Sequence, residues 1–352
     1  MATVIMAGTG DSGQKLEVAT CGCASEMRRV CDLCDGASGR FVACSLTCLD
    51  RHLADEHGGD DRARESSETR AQQFLGRVNL RLADSRQRYH EHRTQVMALA
   101  LAETAPITEP ASAGDIAIFG AGNGTDLDLP RLANAFREIH LVDLDGEALE
   151  RARQDLPAAV RERVIPHAPV DLSGFMSHLD AWGDSFPDDA TLGQTAFASA
   201  RAIMDGLGRG FDVVLSTGVL SQLIVPFHRA WITSQLNWER LDAAIIAVHL
   251  ATLVGSTRSG GRGVLAFDVL SSKDAPALSA LVNRGAAELE SAVDTEVAAG
   301  NIILQPHPMT LLQQLQFPGM ASMVREPQLT APWLWNLGDG VQLVYGLQFR
   351  RP

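Results

Sequence analysis

The residues best suited to chemistry are cysteines and histidines near the amino terminus. All six cysteines of the 352-residue chain lie between Cys21 and Cys48, and two histidines follow them closely. The candidate ligands form four pairs, which are Cys21 with Cys23, Cys31 with Cys34, Cys44 with Cys48, and His52 with His57. Two such side chains a few positions apart can bind one tetrahedral Zn²⁺, because a tight turn presents both to the same centre. The pattern therefore predicts two structural zinc ions.

The segment that carries these pairs is too short, and has too few large apolar residues, to fold around a core of its own. Metal binding would have to supply much of its folding free energy. Three disulfide bonds in a secreted module are the alternative, but the first twenty residues lack the basic start and apolar stretch of a signal peptide. Because protein side chains fill every ligand position, we expect no open site for metal catalysis.

The run from Cys31 to His57 resembles the small two-zinc fingers of the HIT, MYND and B-box kinds, and the likeness covers residues 20–58. Two features differ from those families. The first pair is Cys-x-Cys, and His57 stands where HIT and MYND fingers have cysteine, so the ending is closer to a B-box. In these families the finger is a docking or structural module, and the resemblance implies one of those two roles.

A glycine-rich turn in the middle of the sequence suggests a second site. The apolar run Ile116–Phe119 predicts a buried strand, and Gly120, Gly122 and Gly124 follow it directly. Glycines let the backbone approach a ligand closely, and a helix start offers unpaired N–H groups. The next predicted strand is His140 to Asp145. It contains Asp143, 21 positions after Gly122, where a carboxylate could accept both hydroxyls of a ribose.

The spacing Gly-x-Gly-x-Gly, followed by a strand that ends in an acid, resembles the class I methyltransferases, which bind S-adenosylmethionine. A dinucleotide site would need its third glycine at Thr125 instead. The resemblance covers roughly residues 113–352 and implies further cofactor contacts. The residues it adds are Asp171 for the adenine, and Ser216 and Thr217 in the loop that opens on the active site. Many relatives carry an acid two residues before the first glycine, where this chain has Ile118; Asp126 or Asp145 could compensate.

The elements around these residues complete an α/β fold. The resemblance implies a seven-stranded Rossmann-like methyltransferase sheet that closes with a sixth strand and a reversed seventh. The remaining predicted strands are Val164 to Val170, Phe211 to Leu220, Val264 to Leu270, Pro332 to Trp335 and Val341 to Phe349. A long helix is predicted over about Thr233 to Leu253, and the apolar stretch from Ser173 to Gly210 is also predicted to be helical.

Four domains follow from these patterns. They are a flexible amino terminus (1–19), a zinc-binding module (20–58), a helical bridge (59–110) and a methyltransferase domain (111–352). The apolar positions of the bridge recur with loosely helical spacing from a start near Ser67. We expect its His90 and His92 on a solvated face, and a lid over the cofactor site is the alternative.

Structural roles compete with the functional ones at several positions. The three glycines could form a plain tight turn, and Asp143 could cap the following helix, although Asp145 is the better candidate for that cap. Asp171 fits an adenine contact and a helix cap equally well. His249 is expected to be a buried core histidine, because it lies on an apolar helix face.

The acceptor of the methyl group is not identified by the sequence. Methyl transfer needs a base only for a protonated nucleophile, and His228 and Asp268 are the candidates. A small-molecule hydroxyl, amine or carboxylate is the first expectation, with the zinc module structural. A protein substrate docked through the finger is the second. A non-catalytic interaction protein with a degenerate Rossmann-like domain is the third, and the intact glycines argue against it.

Charge and composition exclude other classes. The chain has 30 basic and 43 acidic residues, and its net charge of −13 repels a phosphate backbone. No cysteine follows Cys48, and no Asn/Asp-Pro-Pro-aromatic pattern follows the fourth strand, so both nucleobase-methylating classes are disfavoured. No apolar run is long enough to span a membrane, so we expect a cytoplasmic protein, with homodimer formation left open.

Overall fold

The computed structural model describes most of the chain beyond the amino-terminal segment. The described residues are 18–20, 27–30, 40–43, 48, 52, 67–102, 114–182, 185–282 and 284–352. Of the zinc-ligand candidates, Cys48 and His52 belong to this set. The other six, Cys21, Cys23, Cys31, Cys34, Cys44 and His57, lie outside the described residues. Within the described set, no three His, Cys, Asp or Glu side chains are grouped so as to bind a metal ion.

The chain divides into two compact units. The first consists of Met1–Phe74, Ser173–Phe197 and Leu223–Ile245. The second consists of Leu75–Leu172, Ala198–Gln222 and Ile246–Pro352. Each unit is described separately below.

The regular elements of the described residues are numbered in chain order. The strands are β1 (Val18–Thr20), β2 (Met27–Val30), β3 (Arg40–Ala43), β4 (Ile116–Phe119), β5 (Ile139–Val142), β6 (Val164–His167), β7 (Phe211–Thr217), β8 (Trp231–Thr233), β9 (Thr257–Ser271), β10 (Arg325–Leu329), β11 (Trp333–Asn336) and β12 (Val341–Arg350). The helices are α1 (Ser67–Leu82), α2 (His90–Leu101), α3 (Leu129–Ala133), α4 (Gly146–Gln154), α5 (Ala158–Arg161), α6 (Met176–Trp182), α7 (Asp189–Leu207), α8 (Leu220–Ala230), α9 (Gln235–Ser256), α10 (Ala286–Ala298), α11 (Pro308–Leu315) and α12 (Pro318–Ala321). None of these helices combines the length and the apolar character that crossing a membrane requires.

A mixed sheet forms the centre of the second unit, which confirms the α/β class. Its order is β10-β12-β9-β7-β4-β5-β6, and the pairings from β9 to β6 are parallel. All four residues of β4 and of β5 are buried, as expected for parallel strands covered on both faces. The chain builds outward from β4 to β6 and then returns to the other side of β4 with β7. The carboxyl ends of β4 and β7 therefore form a topological switch point, where open α/β sheets bind ligands.

The expected count of seven strands is wrong, because this sheet has eight. The predicted strand near Trp335 exists as β11, and it pairs antiparallel with the first part of β12. Further along the same edge, the last residues of β12 pair antiparallel with β10. The strand β10 was not predicted from the sequence. A ten-residue β12 is long enough to hold two short strands along one edge.

Helix α2 of the bridge packs on this sheet. Its buried face includes Val96, Met97 and Ala100, which belong to the main apolar core of the second unit. Arg262 of β9 donates hydrogen bonds to the carbonyl oxygens of Leu99 (2.5 Å) and Ala100 (2.8 Å). These carbonyls lie in the last turn of α2, and the Leu99 carbonyl also accepts a long hydrogen bond from the Ala102 N–H (3.4 Å).

The first unit contains a small sheet and an aromatic cluster. The sheet has the order β1-β3-β2-β8, and β2 pairs antiparallel with both of its neighbours. The predicted helical stretch after Ser173 is confirmed by α6 and α7. Trp182 packs against Phe175 and Phe186, and the Arg240 guanidinium lies 4.9 Å above the Phe186 ring.

Candidate functional site

The glycine-rich loop leaves β4 at the switch point. Gly120, Gly122 and Gly124 all have φ in the left-handed region, at 73°, 46° and 63°. A Cβ at Gly120 would also lie 2.4 Å from the Cβ of Val219, a distance that real side chains do not adopt. The loop therefore requires glycine for its conformation and for its close approach to the segment after β7.

Asp143 lies beneath this loop. Its Oδ2 accepts a hydrogen bond from the Gly122 N–H (2.9 Å), and its Oδ1 accepts one from the Asp145 N–H (2.9 Å). Burial raises the pKa of Asp143. Asp145 caps α4, since its Oδ1 accepts from the Ala148 N–H at 3.1 Å, so the predicted helix cap is confirmed. Asp143 is thus attached to the glycine loop and does not cap α4.

Asn79 of α1 connects the bridge to the same loop. Its Nδ2 donates to the second carboxylate oxygen of Asp145 (2.9 Å), and its carbonyl accepts from the Asn123 side chain (2.6 Å). Arg151 of α4 donates to Asn123 from the other side, at 2.9 Å. The side chain of Asn79 also lies next to Gly122, because a Cβ there would be 3.3 Å from its Oδ1. The sequence analysis missed Asn79.

Two arginines of the bridge hold the loop through its carbonyl groups. Arg86 donates to the carbonyl oxygens of Gly124 (3.3 Å) and Leu127 (3.1 Å). Arg93 donates to the carbonyl oxygen of Thr125 (2.9 Å). Both were missed as well. Their positions between the apolar residues of a predicted helix could have indicated that these arginines contact the neighbouring domain.

Thr217 and Asp126 join the two halves of the switch point. The Thr217 hydroxyl, at the end of β7, donates to Asp126 Oδ2 at 2.8 Å. Asp126 follows the glycine loop and is 8% exposed. Burial raises the pKa of Asp126 to about 6, and the bond from Thr217 acts in the opposite direction.

Ser216 and His249 form a pair in the core of the second unit. Both residues are fully buried, and Ser216 Oγ lies 2.8 Å from His249 Nε2. Burial lowers the pKa of His249 to about 4, so the ring is neutral at pH 7. The expectation of a core histidine is confirmed. Ser216, expected to contact the cofactor, directs its hydroxyl to this histidine.

The other candidate residues lie at several places. Asp268 of β9 accepts a hydrogen bond from Ser221 Oγ (3.0 Å), and burial raises its pKa. His228 belongs to α8, and its side chain lies outside the described residues. Asp171 follows β6 and is half-buried.

A cavity lies at the carboxyl end of β9, two residues beyond Asp268. Its volume is about 630 Å³, within the range of small-molecule sites. Apolar and charged side chains of the segment from β9 to Ile302 line it. They include Leu270, Leu278, Leu281, Ile302, Arg284 and Glu288.

The expectation of a solvated face is correct for His90, which is exposed, and wrong for His92, which is 2% exposed. His92 Nδ1 accepts a hydrogen bond from Trp333 Nε1 at 3.0 Å. Its ring stacks on Trp335 with centroids 4.1 Å apart. Burial lowers the pKa of His92 to about 3. The burial of His92 depends on β11, which supplies Trp335 as a stacking partner and Trp333 as a hydrogen-bond donor. Both are distant in sequence, so the residues around His92 do not predict it.

Solved structures that match part of this chain include two methyltransferases and TrmN. The glycopeptide N-methyltransferase MtfA complexed with S-adenosylmethionine is 16% identical, over 52% of this chain and 55% of its own, with a TM-score of 0.28. The S-adenosylmethionine-dependent methyltransferase SibL in its apo form is 16% identical, over 72% of this chain and 54% of its own, with a TM-score of 0.32. TrmN from Thermus thermophilus is 14% identical, over 73% and 48%, with a TM-score of 0.34. This chain thus spans about half the length of each, and no protein family or curated protein matches its sequence.

Proposed function

We propose that this chain transfers a methyl group from S-adenosylmethionine to an oxygen or nitrogen nucleophile of a small molecule. The observation that carries the proposal is the position of Asp143. Its carboxylate lies at the end of β5, directly beneath a left-handed glycine loop whose Gly122 N–H it binds. A loop that admits a ligand to the backbone, next to an acid that can bind a ribose, suits an adenosine cofactor.

The residues at the switch point fit this cofactor. A carboxylate has about four lone-pair sites, so Asp143 can accept from ribose hydroxyls in addition to its backbone donors. The glycines of this loop have left-handed φ values and carry no side chains of their own, which is the backbone conformation that a cofactor-binding turn of this kind needs. The cofactor supplies a methyl group already activated on a sulfonium, so the residues of this chain bind, orient and exclude water.

We assign the acceptor to the side of β7 and β9. The cavity of about 630 Å³ at the carboxyl end of β9 has room for a small molecule. Asp268 lies three residues before that end and is half-buried, and its carboxylate accepts a hydrogen bond from Ser221 Oγ. A carboxylate whose pKa is raised by burial is a suitable base for a protonated nucleophile. Asp268 is therefore our first candidate for the residue that takes up the proton, and His228 is the second.

Calorimetric titration of S-adenosylhomocysteine tests the proposal. We expect a Kd in the micromolar range, weakened about tenfold or more by Asp143→Asn, because one charged acceptor of ribose hydroxyls is removed. Glu147→Gln is the matched control, since it removes a carboxylate whose side chain is 90% exposed. A folded wild-type protein that does not bind S-adenosylhomocysteine would contradict the proposal and leave the interaction-protein alternative.

We also propose that the zinc module is structural and binds two Zn²⁺. The spacing of the eight candidate ligands supports this, and β2 and β3 each end one residue before a cysteine pair, at Cys31 and Cys44. Metal analysis of the purified protein should find two zinc ions per chain, and Cys31→Ser should lower both the zinc content and the stability. A fully folded protein without zinc would contradict this proposal. If Cys31→Ser abolished methylation of one protein substrate and of no other acceptor, the result would favour a zinc module that docks that substrate.

A further inference from the structure

A single face of α10 lines one side of the cavity at the carboxyl end of β9. The residues on this face recur three and four positions apart, as neighbours on a helix surface do, and they are Ala287, Glu288, Ser291, Ala292, Thr295 and Glu296. Leu289 and Val293 lie on a different face of the same helix and are buried. The helix α10 therefore packs into the core with one face and presents small and polar side chains to the cavity with another.

The rest of the lining is chiefly aliphatic. Among the described residues that surround the cavity, the apolar ones are all leucine, isoleucine or alanine. Leu270 is the last but one residue of β9, and Ile302 lies four residues after the end of α10. A volume of about 630 Å³ bounded in this way can remove the carbon skeleton of a small aliphatic molecule from water. The lining therefore suits an occupant with an aliphatic part and a polar group directed to α10.

Two polar side chains near the carboxyl end of α10 can accept hydrogen bonds from an occupant. Thr295 Oγ1 donates its proton to the Ser291 carbonyl oxygen (2.8 Å), which leaves lone pairs on the hydroxyl oxygen. Glu296 Oε2 accepts from Asn301 Nδ2 (2.9 Å), and an ionised carboxylate has lone pairs for further donors. These two groups are complementary to a ligand group that carries several N–H bonds.

The helix α10 is negatively charged. It carries Glu288, Glu290, Asp294 and Glu296 and no basic residue. Glu288 and Glu296, which line the cavity, belong to none of the ion pairs formed between described residues. Burial raises the pKa of Tyr345 to about 12, and the charges of Asp294 and Glu290 act in the same direction. The negative field of α10 thus extends to the neighbouring strand β12.

Arg284 also lines the cavity, but it stands at the opposite end of the helix from Glu296. It precedes α10 and is exposed, whereas Glu296 lies about 15 Å along the helix axis from the first helical residue. Exposed charges that far apart are largely screened at physiological salt, where the Debye length is about 8 Å. Arg284 therefore does not neutralise Glu296. The last turn of a helix also carries the negative end of its dipole, which favours a cation there.

We propose that the cavity binds a primary or secondary aliphatic amine in its ammonium form, with its nitrogen at Glu296 and Thr295 and its carbon skeleton against the aliphatic lining. The inference rests on the proposed function, because it takes this amine to be the methyl acceptor and so narrows the acceptor to a nitrogen nucleophile. Transfer to the nitrogen forms a C–N bond as the C–S bond of the sulfonium breaks. One ammonium proton leaves first, to the base for which Asp268 is the candidate.

Titration with three probes that share one skeleton tests the charge preference. The probes are hexylamine, hexanol and hexanoate, and no cofactor is added. Methyl signals of Leu270, Leu278 and Ile302 in NMR spectra report binding at the cavity, since these side chains line it. We expect hexylamine to bind about tenfold or more tightly than hexanol, because its cation is attracted to the carboxylates, and hexanoate to bind most weakly.

A pair of variants tests the position of the nitrogen. Glu296→Gln should weaken hexylamine about fivefold to tenfold and leave hexanol unchanged, because glutamine keeps an acceptor for Asn301 but loses the charge. Glu290→Gln is the matched control, since it makes the same change on the same helix at an exposed residue outside the lining. Equal effects of the two substitutions would overturn the inference. So would equal affinities of the wild-type protein for the three probes, tighter binding of hexanoate, or hexylamine binding that leaves the cavity methyl signals unchanged.

Titration of the same protein with S-adenosylhomocysteine separates this inference from the proposed function. If S-adenosylhomocysteine binds and hexylamine is not preferred, the methyltransferase stands and the amine acceptor is overturned. If hexylamine is preferred and S-adenosylhomocysteine does not bind, the proposed function is overturned, and the acceptor role of the amine site is overturned with it.

Discussion

Asp143 and Asp145 lie two positions apart, yet their carboxylates bind different parts of the backbone. Asp143 accepts from Gly122 and holds the loop, whereas Asp145 caps α4. The cap at Asp145 is predictable from sequence, because helix caps are local features, whereas the bond from Gly122 to Asp143 was not predicted. The contacts of Asn79 with Asp145 and of Thr217 with Asp126 are not predictable, since the partners are 66 and 91 positions apart.

At the residue scale, Gly120→Ala should destabilise the protein. The left-handed φ of 73° costs about 1 kcal/mol with a side chain, and the clash with Val219 adds about 1–3 kcal/mol of overpacking. Urea unfolding should show a loss of about 2–4 kcal/mol. Gly193→Ala in α7 is the control, because no atom lies within 4 Å of its Cβ position and alanine favours the helix. Equal effects of the two substitutions would contradict the argument.

At the element scale, most strands of the large sheet were predictable, whereas β10 and β8 were not. β4 and β5 are short apolar runs; the predicted bounds of β4 are confirmed, whereas β5 ends three residues before the predicted Asp145. β10 contains Arg325, Glu326 and a proline, and it forms a strand because β12 offers a free edge. β8 was not predicted, and the long helix predicted from about Thr233 includes only its last residue; its pairing with β2 is a contact between distant parts of the chain. Long-range pairing is not encoded in a local pattern.

The attachment of α2 to the sheet gives a prediction at this scale. Arg262→Met keeps most of the buried side chain but removes both donors to the carbonyls at the end of α2. An unpaired buried carbonyl costs about 1–3 kcal/mol, and the Leu99 carbonyl keeps the Ala102 N–H, so we expect a loss of about 1–3 kcal/mol in urea unfolding. Arg325→Met, at an exposed edge position, should change stability by less than about 0.5 kcal/mol. An Arg262 variant as stable as wild type would show that water replaces the guanidinium.

At the scale of the whole molecule, the site depends on the order in which strands join the sheet. The return of the chain from β6 to β7 places Thr217 next to the loop that follows β4. The bridge then adds Asn79, Arg86 and Arg93 from outside the sheet. Alternating strands and helices predict such a switch point, so its general location follows from the sequence. Which side chains reach it depends on how helices pack, which the sequence pattern does not determine.

Buried histidines make the stability of the whole molecule depend on pH. Burial lowers the pKa of His92 to about 3 and the pKa values of His140 and His249 to about 4. These rings stay neutral in the folded protein at pH values where the unfolded chain, with a histidine pKa of about 6.5, takes up protons. Their stabilisation is therefore complete above pH 6.5 and is lost as the pH falls toward 4. Asp126, whose pKa is raised to about 6, offsets part of this loss because it binds its proton more tightly when folded.

Substitution of one histidine isolates its share of the pH dependence. Below pH 6 each buried neutral histidine should contribute a slope of up to about 1.4 kcal/mol per pH unit. His249→Gln should lower the stability at every pH, because Ser216 loses its partner, but it should also flatten the decline between pH 6.5 and 5 by about that slope. His90→Gln, at an exposed position of α2, should leave the slope unchanged.

Urea unfolding at four pH values measures the stability and the slope of each variant. Zinc ligands or carboxylates that titrate in the same range contribute equally to all three proteins and cancel in the comparison. Parallel curves for wild type and His249→Gln would mean that His249 is already protonated when folded, which its position between Phe119 and Ser216 makes costly.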